Sequence, residues 1–155
     1  MRRYHLVKSI VMRYKWGDVM GEGLSPDRYQ ALAEFRYQLR RFLRFSEDAA
    51  REIGLEPQHH QLLLMIKGDP GGLMTIGALA ERLQVHQHSA AELVARADAR
   101  GLVRRTRGEQ DRRKVFVSLT EEGEFALDAL SQEHHRELQT LAPELIQILQ
   151  KLIAD

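Results

Sequence analysis

The chain contains no cysteine. That absence removes structural disulfides, thiolate-held zinc and thiol-based redox sensing together. No apolar run approaches the roughly 20 residues that a membrane-spanning helix needs. The opening stretch MRRYHLVKSIVMRYKWGDVM begins basic, but charge interrupts it before a secretion-signal core forms. These absences fit a soluble cytoplasmic protein. Internal repeats and low-complexity tracts are also missing. So are the metalloprotease HExxH, the nucleophile elbow and the glycine-rich phosphate loop, which argues against an enzyme. Strong net charge is absent too, at a formal +1 over 155 residues.

That near-neutrality hides an asymmetry. Between Arg96 and Lys114 stand eight basic residues (Arg96, Arg100, Arg104, Arg105, Arg107, Arg112, Arg113, Lys114) against three acids, Asp98, Glu109 and Asp111. A concentrated basic zone on a neutral protein marks a local polyanion footprint, although a solvated charged hairpin would have the same composition. With 43% apolar and 29% charged residues, the chain is long enough for one buried core and short for two domains.

The pattern along the chain predicts a mainly α fold. Ser25-Pro26-Asp27 starts a long helix that runs to about Glu52 and stops at Gly54. A second helix, Gln58 to Lys67, carries the run Leu62 to Ile66 and is apolar on most faces, so it is buried. Gly68 to Gly72 breaks the chain. Leu73-Met74-Thr75 suits a very short strand, and Thr75 caps a third helix, Ile76 to Leu83. Gln84 and Val85 make a turn into a fourth helix, Gln87 to Arg100, with Ala90, Leu93, Val94 and Ala97 as its buried stripe. Residues 102–106 and 114–119 read as paired strands around a basic loop, Arg107 to Arg113. Thr120 caps a fifth helix to about Thr140, and Pro143 opens a sixth that carries Leu145, Ile148, Leu149, Leu152 and Ile153.

A helix-turn-helix that runs into a basic hairpin is a winged helix, and its two parts suit two grooves of DNA. His86, Gln87, His88 and Ser89 at the mouth of the fourth helix can donate and accept at base edges, although plain helix capping selects similar residues. Arg104, Arg105 and Arg107 suit phosphates. In the hairpin, Asp111 can hold an arginine at Arg112 or Arg113 in one orientation for the minor groove. The alternative for that acid is an exposed ion pair.

The segment Leu73 to Gly123 resembles the MarR family of bacterial transcriptional regulators. The marks are Gly101-Leu102-Val103, Asp111-Arg112-Arg113 and Ser118-Leu119-Thr120-Glu121-Glu122-Gly123, and the flanking helices agree in order and length. The resemblance implies a winged helix-turn-helix with long N- and C-terminal dimerisation helices and a two-stranded wing. Residues 1–25 form an arm or extra helix. Residues 26–155 are one domain, with 26–55 and 124–155 as dimerisation helices and 56–123 as the DNA-binding lobe. It further implies a homodimer on a palindromic duplex operator, probing bases with residues 86–89 and the minor groove with Arg113. Thr75 falls at a helix start that meets phosphate. Glu92 departs from the pattern, standing where many members carry arginine. The family also implies a repressor released by a small aromatic or phenolic effector, for which Phe35, Arg36, Leu39, His59, His60 and Leu63 are the candidate lining; a plain core with surface histidines is the competing reading. No cofactor is implied.

Two other readings compete. Seven histidines admit a metal-responsive regulator using His134 with Glu137 or His60. Adjacent pairs such as His59-His60 and His134-His135 diverge by about 100° on a helix and do not converge on one ion, and His86 and His88 are expected to face apart likewise. The other alternative is a winged-helix module that binds protein or RNA without an effector.

Overall fold

The structure is a computed structural model and describes residues 23–108 and 114–154. Helix α1 spans Pro26–Glu52. The Ser25 hydroxyl accepts the Arg28 N–H at 3.4 Å, and Asp27 sits in the first turn, where the helix dipole favours an acid. Gly54, with φ +73, ends the segment in a conformation that costs other residues a steric clash. Helix α2, Pro57–Lys67, places proline at its start, where the missing N–H has no partner to lose. It buries His59, His60, Leu62, Leu63 and Ile66, so it lies in the centre of its lobe.

Strand β1 is Met74–Thr75 and leads into helix α3, Ile76–Arg82, where the Thr75 hydroxyl accepts the Ala78 N–H at 3.2 Å. Helix α4, Gln87–Ala99, buries Ala90, Leu93, Val94 and Ala97. Strands β2, Val103–Arg107, and β3, Val115–Leu119, pair antiparallel, and β1 joins the other edge of β3 to give the order β1-β3-β2. The core gathers Leu62, Leu63, Ile66, Leu79, Val94 and Val117, all at 0% exposure, with Leu127 and Leu130 from the last helix.

That last helix, α5, runs from Glu121 to Ile153 with Pro143 inside it. The sequence pattern predicts two helices divided at Pro143, and the structure has one. A proline here removes a single N–H bond, the one Gln139 would have accepted, and Gln139 is exposed, so water can take its place. Leu141 just before the proline is buried at 2%, and packing of this kind outweighs the local penalty.

Two compact units divide the chain. One comprises Leu39–Pro143 and holds the core just described. The other joins the described residues up to Gln38 with those from Glu144 on. Within it, Ala31 and Ile148 are buried, the Arg28 guanidinium donates to the Ala154 carbonyl, and Tyr29, Ile146, Leu149 and Ile153 remain exposed.

Candidate nucleic-acid interface

The start of α4 is open to solvent. His86 holds the N-cap position with an extended backbone (φ −70, ψ 151) and makes no side-chain cap bond. His86, Gln87 and His88 are exposed and Ser89 is half-buried. Capping therefore does not explain the histidine at this position. The His86 and His88 rings lie parallel, 9° apart in plane with centroids 5.6 Å apart, and do not face apart. The helical 100° step fails for this pair because the His86 backbone is outside the helix.

Gln87 and His88 line a groove of about 650 Å³ together with Thr75, Ile76, Gly77, Ala91, Lys114 and Val115. Three elements thus contribute to one concavity: the start of α3, the mouth of α4 and the base of the wing. Among these lining residues, Gly77 and Lys114 are not site residues by sequence pattern alone. The signal for Lys114 was its place at the start of a strand, one step from the buried alternation of β3.

Pairing register fixes which way each wing arginine points. Arg105 stands opposite Val117, and Arg104 opposite Ser118. Val117 is fully buried, so Arg105 lies on the inner face of the sheet, and alternation places Arg104 on the outer face. The Arg105 Nε donates to Asp98 Oδ2 on α4 at 2.8 Å. Two other members of the basic zone are also engaged: Arg96 approaches Glu56 at 3.9 Å, and Arg100 donates to the Gly54 carbonyl at 2.7 Å. Arg104, Arg107 and Lys114 are exposed, and their side chains have no partner among the described residues. Asp111, Arg112 and Arg113 lie outside the described residues, as do residues 1–22.

The residues expected to line an effector cleft divide between the two units. Phe35 is half-buried and Arg36 exposed in one; in the other, Leu39 is 45% exposed while His59, His60 and Leu63 are closed into the core. The histidines at 59 and 60 are therefore not surface residues. Burial lowers the His59 pKa, and burial together with the neighbouring His134 lowers His60 to about 4. The His60 and His134 rings lie 4.6 Å apart, with Phe42 and Phe45 edge-on to His134.

His134 uses both ring nitrogens. A carbonyl only accepts, so Nδ1–H donates to Leu130 O at 2.6 Å, and Nε2 is hydrogen-bonded to the Ser46 hydroxyl at 2.6 Å. Glu137 pairs with Arg41 at 3.7 Å. Among the described residues no group of three or more potential ligands is arranged to hold a metal ion.

Comparison with known proteins bears on these features together. A family model described as MarR family matches residues 53–114. The chain is 30% identical over 106 residues to the organic hydroperoxide resistance transcriptional regulator of Bacillus subtilis (strain 168), a match covering 62% of this chain and 70% of that protein. Among solved structures it is similar to AbsC, a MarR family transcriptional regulator from Streptomyces coelicolor, with a TM-score of 0.69 and 24% identity over 84% of this chain and 91% of that one. It also resembles a mutant MarR from E. coli complexed with operator DNA, with a TM-score of 0.58 and 19% identity over 81% and 92% of the two chains. The arrangement of helices and sheet is that of these winged-helix proteins.

Proposed function

Because this chain belongs to the MarR family of transcriptional regulators, we propose that it reads duplex DNA with the groove shared by α4 and the wing. The observation that carries this reading is the common lining by Gln87, His88, Thr75 and Lys114. Gln87 is suited to bidentate contact with adenine; His86, His88 and Ser89 can donate or accept beside it. Thr75 and Lys114 flank them, and Arg104 and Arg107 supply charge to phosphates. Arg113, with Arg112 and Asp111 beside it in the chain, is the minor-groove contact in this reading. No helix among the described residues is long and apolar enough to cross a membrane, and the assignment to the cytoplasm rests on the family.

The working form is a homodimer on a palindromic site. Tyr29, Ile146, Leu149 and Ile153 leave apolar surface exposed within the terminal unit, and a second copy would cover it. Repression relieved by a small aromatic or phenolic effector is the regulatory mode that the family supports. Thiol oxidation is not available to this chain, which has no cysteine.

The test is equilibrium binding to the duplex upstream of its own gene and to a random duplex over a series of salt concentrations. A phosphate-contacting reader loses affinity linearly in log salt, by about 0.9 in slope per neutralised phosphate, and prefers one duplex over the other. Binding that ignores salt, or binding to single-stranded RNA alone, contradicts the reading.

A further inference from the structure

We propose that Arg105, one of the arginines of the basic wing, is a positioning residue that fixes the wing against the recognition helix α4 by holding Asp98, and is not a phosphate ligand. The proposal rests on the DNA-binding reading above and assigns to one arginine of that site a different task from its neighbours.

Three observations carry it. Strand register puts Arg105 on the same face as fully buried Val117, and Arg104 on the opposite face beside Ser118. Consecutive arginines on a strand leave opposite faces of the sheet, so Arg104 and Arg105 start out in opposite directions. The Arg105 bond to Asp98 uses Nε at 2.8 Å, the nitrogen nearest the backbone, so the base of the guanidinium is held against α4 while the side chain stays 46% exposed. Asp98 lies in the last turn of α4, and the neighbouring Arg96 and Arg100 tie that same turn to Glu56 and to the Gly54 carbonyl. The far end of the recognition helix is therefore held on one side by the turn between α1 and α2, and on the other by the wing. The groove that Gln87, His88 and Lys114 line lies between the mouth of α4 and the base of β3. Its width depends on the angle between helix and wing. An exposed ion pair of this kind contributes little to stability, so what it sets is geometry.

Chemistry offers a test that separates the two roles. Glutamine carries an amide nitrogen at the same number of bonds from the backbone as the arginine Nε. Arg105→Gln therefore keeps a donor for Asp98 and loses the charge. Affinity for duplex DNA and its salt dependence are measured for the full chain and for Arg105→Gln, Arg104→Gln and Asp98→Ala, with thermal melting as a check on folding. Arg105→Gln is expected to stay within about twofold of the unaltered protein with the same salt slope, and Arg104→Gln to lower that slope by about one.

Asp98→Ala removes an acid, so simple electrostatics predicts tighter binding. Positioning predicts the reverse, a loss on the order of tenfold at unchanged salt slope. A drop of about one in slope for Arg105→Gln, or tighter binding by Asp98→Ala, overturns the proposal while leaving the DNA-binding reading intact. Absence of salt-dependent binding by the unaltered protein overturns that reading itself. If Asp98→Ala does not melt as a folded protein, the Arg105→Gln and Arg104→Gln slopes decide alone.

Discussion

The backbone of Gly123 meets the carbonyl of Leu102 so closely that a Cβ at 123 would fall 2.0 Å from that oxygen. Around this contact Thr120 donates its N–H to Leu102 O at 3.2 Å and its hydroxyl to Gly101 O at 2.5 Å, and the Gly123 N–H donates back to the Thr120 hydroxyl at 3.1 Å. The start of α5 is thereby locked onto the corner where α4 turns into the wing.

Gly123→Ala should accordingly cost more than an ordinary helix substitution, where alanine is favoured over glycine by about 1 kcal/mol. Here the clash is with backbone, and the expected loss is at least the roughly 1–3 kcal/mol of overpacking. Thermal melting measures it; a variant that melts at or above the unaltered protein would mean the corner is looser than described.

Much of this was legible beforehand, and the Leu102–Gly123 corner explains why. The two strings Gly101-Leu102-Val103 and Ser118 to Gly123 are two sides of one contact. The breaks at Gly54 and Gly101, the cap at Thr75 and the buried stripe of α4 each follow from local rules. Pro143 misled because a proline specifies the loss of one bond, and neighbouring burial decides whether the helix continues. The stacking of His86 on His88 depends on a backbone change of one residue, which spacing cannot reveal. Arg104 and Arg105 look alike as sequence; only the register against Val117 and Ser118 separates them.

Acid should destabilise the fold through His60. The buried ring accepts a proton only near pH 4, against an ordinary value of 6.5. Between those values the unfolded chain binds more protons, so stability is full above about pH 6.5 and falls as pH drops toward 4. His59 shifts in the same direction. Urea unfolding at pH 7 and pH 5 should differ by on the order of 2 kcal/mol, and His60→Phe should reduce that difference. An unchanged difference in the variant would place the acid sensitivity elsewhere.

Glu92 stands exposed on α4, one helical turn after His88. A carboxylate on the groove-facing helix repels phosphate unless it accepts from a cytosine amino group. Glu92→Gln should raise affinity for random duplex by about threefold, consistent with up to 1 kcal/mol for one exposed charge interaction, and narrow the gap between specific and random sites. Fluorescence anisotropy with both duplexes checks this; weaker random binding would show that the acid does not face the phosphates.

Leu63 is fully buried at the centre of the winged-helix lobe. Leu63→Ala should cost about 2–5 kcal/mol by opening a cavity, measured by chemical unfolding. A loss below 1 kcal/mol would show that the surrounding helices collapse into the space, contrary to a tightly packed α2.

The most direct test of the whole account uses the missing cysteine. Gln87→Cys and Lys114→Cys each create one unique thiol, to which a DNA-cleaving chelate is attached before the protein is bound to its duplex. The account predicts cuts from both positions in the same half-site, within a few base pairs of each other, because α4 and the wing base line one groove. Cuts from one position only, or from the two at unrelated places, would contradict it.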